Sequence, residues 1–272
     1  MQPSKRVLSV FSLVMINVIA VDSLRTLAIT AQLGFSLVFY YLAAAFAFFI
    51  PVALVAAELA TAYPNTGGIY VWVREAFGVR AAFLTIWMQW IYNVVWYPTI
   101  LAFIAGTMAF LFAPELANNR YYLLGTMLVL FWLFTFLNCW GMKISSLISI
   151  LGASLGTLLP MIGIIVLSII WIFQGHAPVA HHMTLDQWLP HINSLGQMAI
   201  FVAVLFGLLG MEMSAVHAEE VRHPQRDYPR ALLYSTILIF STLVLGSLAI
   251  VLVVPQGKLS VVSGFVDAYD IF

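Results

Sequence analysis

The stretch that decides the fold runs from Gly207 to Pro229, GLLGMEMSAVHAEEVRHPQRDYP. It opens inside an apolar run at Leu205-Phe206, passes two glycines three apart, Gly207 and Gly210, and reaches a lone carboxylate, Glu212. It then leaves the apolar zone through His217, Glu219 and Glu220 and enters a basic loop with Arg222, Arg226 and Arg230. Glycines that loosen a helix beside a carboxylate are costly in lipid, because the freed backbone groups must find protein, water or ligand. Intramembrane carboxylates mark substrate or proton paths. A short span interrupted by glycine points to a transporter binding site.

Composition supports a membrane reading. The 272 residues are 63% apolar and 8% charged, against about 25% charged in a soluble domain. The apolar runs are long and continuous, which predicts helices and not barrel strands. Formal net charge is zero and no basic patch points to nucleic acid. The single cysteine, Cys139, excludes an internal disulfide. No cofactor, metal or catalytic constellation is expected.

The sequence predicts an all-α integral membrane protein of one transmembrane domain over 1–272, with seven spans near 8–30, 36–60, 82–112, 121–138, 147–173, 197–218 and 232–254. With the N-terminus in the cytoplasm, Lys5, Arg6, Arg74, Arg80, Lys143, Arg222, Arg226 and Arg230 all fall inside, and only Arg120 and Lys258 outside. That asymmetry predicts an inner-membrane protein with a cytoplasmic N-terminus. Lys5 and Arg6 imitate the start of a signal peptide, but the run continues past Asp22 and Arg25 without a convincing small-residue site, so no cleavage is expected.

Within the first span the apolar run from Val7 to Val21 is too short to cross alone, and Asp22-Ser23-Leu24-Arg25 interrupts it. Two readings stand for Asp22 and Arg25. They share a face as a self-neutralising pair if the segment is helical, or they mark a broken helix whose polar groups meet a zwitterion. Glu58 closes the second span in a structural or gating position. The Pro64-Asn65 and Gly67-Gly68 steps mark a tight turn, followed by a short interfacial helix that Gly78 ends. The third span is crowded with aromatics; Asn93, Trp96 and Tyr97 share a face that either packs in the core or lines a cavity. The outer loop from Gln174 to Asn193 holds His176, His181, His182 and His191, a metal or pH-sensing candidate beside the plainer reading of a solvated loop.

Three stretches together resemble the amino acid–polyamine–organocation (APC) superfamily of transporters. They are Glu58-Leu59-Ala60 leading to Pro64, Gly67-Gly68 and Tyr70-Val71-Trp72; Asn138 with Gly141 and Lys143; and Gly210, Glu212, Glu220, Pro224, Arg226, Asp227, Tyr228 and Pro229. The segments GFSLVF from Gly34 and FIPVAL from Phe49 are similar to those of the bacterial glutamate/γ-aminobutyrate antiporters. The resemblance implies two inverted five-helix repeats whose first and sixth helices unwind at mid-membrane around the substrate. Here 1–173 would be the first repeat and 197–272 two helices of the second. It implies an amino acid substrate held by Val21, Asp22, Ser23, Leu24 and Arg25 at one break and Phe206, Gly207, Leu208, Gly210 and Glu212 at the other. Asn93, Trp96 and Tyr97 would lie nearby, with Glu58, Glu220 and Arg226 gating. The bilayer is the expected surrounding, a proton is a candidate coupling partner, and the oligomeric state is not legible.

The resemblance is departed from in two places: the first break has no glycine, and the chain stops where an eighth helix is expected. The leading expectation is therefore the N-terminal part of an amino acid antiporter. The alternatives are a non-transporting membrane fragment or partner subunit, and a seven-helix receptor. The charge asymmetry and the lack of a lysine in the seventh span oppose the receptor.

Overall fold

A computed structural model of the chain describes residues 8–176, 188–190, 195–255 and 264–272. Lys5, Arg6, Lys258 and the loop histidines His181, His182 and His191 lie outside them. Helix dominates the described residues; the one pairing of extended backbone is an isolated parallel bridge between Leu8 and Val221.

The first span is broken. Helix α1 (Val10–Val21) ends at Asp22, and α2 (Leu24–Ala31) begins after Ser23, with Asp22 and Ser23 both extended. The two halves bend by 46°. Helices α3 (Leu37–Ala44) and α4 (Ile50–Ala62) form one span joined by a π-helical turn over Ala45–Phe49. A second π-turn, Gly152–Leu158, joins α8 (Met142–Leu151) to α9 (Leu159–Phe173). Each π-turn comes just before a proline, Pro51 or Pro160. Proline has no N–H to give and its ring crowds the carbonyl four residues back, and a wider turn relieves both faults. Between these spans lie α5 (Ile69–Phe77), which Gly78 ends as expected, α6 (Val79–Phe112) and α7 (Arg120–Asn138).

Then come α10 (Leu195–Gly207), a 3-10 helix over Met213–Glu220, α11 (Pro224–Val253) and the short α12 (Gly264–Ile271). Two boundaries differ from the sequence reading. The expected sixth span, 197–218, is not one helix, because α10 stops at Gly207 and backbone without helical form follows. The seventh starts eight residues early: Pro224 occupies the first turn of α11, and the Asp227 carboxylate accepts the His223 N–H at 3.2 Å. Proline fits the first turn, where its absent N–H costs nothing, and a carboxylate there answers exposed backbone donors. Most of the anticipated basic loop is thus helix. Among the described residues five helices are long and apolar enough to cross a membrane, six counting the bent pair as one span. The chain is therefore a multi-pass membrane protein.

Helix α11 is the centre of the packing. Half of its most apolar window is buried, whereas none of α7's is. It packs against α1, α2, α4 and α9, and Ile239, Leu243 and Ile250 are fully enclosed. A row of hydroxyls on α11 faces the broken span. Asn17 Nδ2 donates to Ser235 Oγ at 3.1 Å, Thr242 Oγ1 lies 2.7 Å from Asp22 Oδ2, and Ser247 Oγ lies 2.7 Å from Thr30 Oγ1. Interhelical polar contacts of this kind contribute about 0.6 kcal/mol each in membranes, so the seam orients the helices more than it holds them together.

Candidate functional site

The two interruptions meet. After α10 the chain runs through Leu208 to Glu212 without helical form, and Gly210 takes φ +121°, a value that favours glycine. A β-carbon on Gly210 would lie 3.1 Å from the Ala20 carbonyl oxygen and 3.3 Å from Val21 Cγ2. One on Gly207 would lie 2.9 Å from Thr26 Cγ2. Glycine at both positions lets the second break press against both sides of the first. Val21, Asp22, Leu208 and Gly210 are buried at this crossing, and Ser23, Leu24, Arg25, Gly207 and Glu212 are half-buried around it. Phe206 points outward, 55% exposed.

A helix end leaves its last carbonyls or first N–H groups without partners in the helix. Two broken helices side by side therefore offer acceptors at the ends of α1 and α10 and donors at the starts of α2 and the 3-10 helix, where partial charges of opposite sign accumulate. That arrangement suits a ligand carrying both an anionic and a cationic group. Two carboxylates lie at the crossing: Asp22 Oδ1 and Glu212 Oε2 are buried without a hydrogen-bond partner among the described residues. Asp22 and Arg25 do not form the ion pair that a continuous helix would allow, because the extended backbone at Asp22 and Ser23 removes the shared face.

On α6, Gln89 Nε2 donates to Met213 Sδ at 3.2 Å, at the start of the 3-10 helix, and Tyr92 lies within electrostatic range of Glu212. Asn93, Trp96 and Tyr97 have no hydrogen bond or ring contact with either break among the described residues; Trp96 and Tyr97 pack edge to face on each other at 5.5 Å. Sequence reasoning chose α6 and passed over Gln89 and Tyr92 on it. A spacing of three or four from Asn93 back to Gln89 on the same face was the available signal. The α11 hydroxyls were missed as well.

At the start of the described chain, Leu8 N–H donates to the Glu220 carbonyl at 2.9 Å and Arg222 N–H to the Leu8 carbonyl at 3.2 Å. This bridge ties the start of α1 to the end of the 3-10 helix. The Gly67-Gly68 turn docks on the same helix: Gly67 N–H donates to the Val216 carbonyl at 3.4 Å, and a β-carbon on Gly68 would lie 3.2 Å from Val216 N. Tyr228 OH donates to the Ser214 carbonyl at 2.8 Å. The charged groups of this segment have separate surroundings. Asp227 caps its own helix, Glu220 Oε2 lies 3.9 Å from His217 Nδ1, and Arg226 is exposed without an ion pair among the described residues. Glu58 is exposed, also without one. His176 stacks on Trp171 with centroids 5.2 Å apart.

Residues 6–272 match the amino acid permease family. An uncharacterized transporter of Legionella pneumophila subsp. pneumophila is 73% identical over 272 residues, the whole of this chain and 58% of that protein. A glutamate/gamma-aminobutyrate antiporter of Lactococcus lactis subsp. lactis is 30% identical over 237 residues, 86% of this chain and 47% of its own length. A probable agmatine/putrescine antiporter of the same organism is 24% identical over 272 residues, 57% of its length. The chain thus spans about half the length of the curated relatives it matches.

Proposed function

The chain belongs to the amino acid permease family, and from that premise we propose that it takes part in amino acid antiport across the cytoplasmic membrane, on glutamate- and γ-aminobutyrate-like substrates. The observation that carries the reading is the crossing of the two helix breaks at Gly210 and Ala20. An amino acid's carboxylate would take the free N–H groups at the start of α2 and of the 3-10 helix. Its ammonium would take the carbonyls that end α1 and α10, with the spare Glu212 oxygen. Leu208 and Val21 would form the apolar walls. Glu58, Glu220 and Arg226 belong to the gating side, assigned to the cytoplasm by the charge asymmetry.

The test has two stages on the purified chain in lipid nanodiscs and proteoliposomes. Labelled glutamate or γ-aminobutyrate should bind and be displaced by excess of the other, and Glu212→Gln should weaken the binding at least tenfold while leaving insertion intact. No binding by any amino acid would overturn the reading. Binding without counterflow in proteoliposomes would favour the second reading, a substrate-binding part whose transport needs helices supplied in trans.

A further inference from the structure

One buried carboxylate is not accounted for by substrate contacts alone. Asp22 is 4% exposed, and its carboxylate's one hydrogen-bond partner among the described residues is the Thr242 hydroxyl, 2.7 Å from Oδ2. That hydroxyl also lies 2.9 Å from the Leu238 carbonyl oxygen, one turn back on α11. A threonine hydroxyl has one hydrogen and two lone pairs, so it can donate to only one of them. If Asp22 is ionised, Thr242 must turn to it, and Oδ1 still lacks any donor. Leaving a carboxylate charged, buried and with a single donor is among the costliest arrangements a protein can hold. If Asp22 is neutral, its own O–H donates to Thr242 and Thr242 donates to Leu238. Every hydrogen then has an acceptor.

The neighbouring Ser235 rung of the same seam holds a hydroxyl in the pattern that a neutral Asp22 would give Thr242. Ser235 Oγ donates to the Ala231 carbonyl at 2.7 Å and accepts from Asn17 Nδ2. The hydroxyl turns back on its own helix, as intrahelical Ser and Thr do, and α1 supplies the donor. Thr242 in the same role requires a donor from Asp22.

The elements packed against α1 include the 3-10 helix, with His217, Glu219 and Glu220, and α8, with Lys143. Helix α11 carries no ionisable residue after Tyr234, and α10 and the Gly152–Leu158 turn carry none. Tyr41 of α3, in electrostatic range of Asp22, donates to Thr30 at 3.3 Å. Arg25 has no ion pair among the described residues, Glu212 is acidic, and α12, which packs against α2, adds Asp267, Tyr269 and Asp270 and no cation.

We propose that Asp22 is a proton-binding site whose proton is held by the Asp22–Thr242–Leu238 relay while the broken span lies against α11. Parting the span from α11 would remove the acceptor, open the carboxyl to water and release the proton. The inference deepens the antiport reading, and rests on it only for the consequence that exchange is proton-linked.

Infrared spectra of the purified chain in nanodiscs at neutral pH test it. The wild type should show a protonated-carboxyl C=O band that Asp22→Asn removes and Glu212→Gln leaves in place. Thr242→Val should shift that band to higher frequency, since the carboxyl loses its acceptor; Thr242→Ser should restore it. A band unchanged by Asp22→Asn, or no such band in the wild type, overturns the proposal. Should Asp22→Asn fail to insert, Thr242→Val decides alone, and an unmoved band again overturns it. An Asp22 band in a protein that binds no amino acid would keep the proton site and remove the transport reading; binding without that band would do the reverse.

Discussion

Between the breaks, the Gly210 backbone passes Ala20 so closely that a methyl group meets a carbonyl oxygen at 3.1 Å, and its φ of +121° strains any side chain. Gly210→Ala should therefore cost about 1–3 kcal/mol, read as a lower unfolding temperature in nanodiscs, and should weaken amino acid binding. An unchanged midpoint would show that the breaks do not cross as described. Gly207 differs, because what a methyl there would strike is the Thr26 methyl, at 2.9 Å. Gly207→Ala should lose binding, and Thr26→Ser in the same chain, which deletes the methyl it strikes, should recover it. Failure of that rescue would mean that Gly207 acts through backbone freedom. These glycines and Asp22 were legible because glycine and charge stand out in an apolar run. Thr242, Ser235 and Gln89 were not. A hydroxyl in a membrane helix can bond its own backbone and so does not announce a partner, and aromatics along α6 hide the glutamine that meets Met213.

Helix α11 was legible as a span but not as the hub of the fold. Its sequence is apolar all round, and such a pattern says only that a helix is buried in lipid or protein. Polar rungs at Ser235, Thr242 and Ser247 supply the direction. A double-mutant cycle between Asn17→Leu and Ser235→Ala should give a coupling near 0.6 kcal/mol, and a coupling of zero would deny the seam. The sixth element misled in a different way. Residues 197–218 have the length and polarity of a span, yet Gly207 and Gly210 end it halfway, and the sequence does not say whether two glycines bend a helix or stop it. At the other end of the break, the Leu8–Val221 bridge was invisible to periodicity, since a single rung of extended backbone has none. Cysteines replacing Leu8 and Val221, in a Cys139→Ser background, should join under mild oxidation, because neighbouring extended segments lie about 4.8 Å apart. No cross-link would argue that the bridge is not formed in the membrane.

Over the whole molecule, that bridge holds the start of α1 beside the end of the 3-10 helix, and we propose from the charge asymmetry of the sequence that this side is cytoplasmic. With Cys139→Ser as background, an impermeant thiol reagent added outside should label His182→Cys and not Gln2→Cys; the opposite pattern would invert the topology. The same architecture sets an order of manufacture. Asp22 meets Thr242 across 220 residues, and Asn17 meets Ser235 across 218. A ribosome adding about 5–20 residues per second needs about 10–45 seconds to produce the partner after the first half-span has emerged. For that interval the broken helix has no α11 to lie against, and its polar groups would face lipid. The insertion machinery must therefore retain or shield the first span as a guest until the seventh arrives. A nascent chain arrested before Thr242 should still be captured beside the translocation channel, and one arrested after Val253 should have left it.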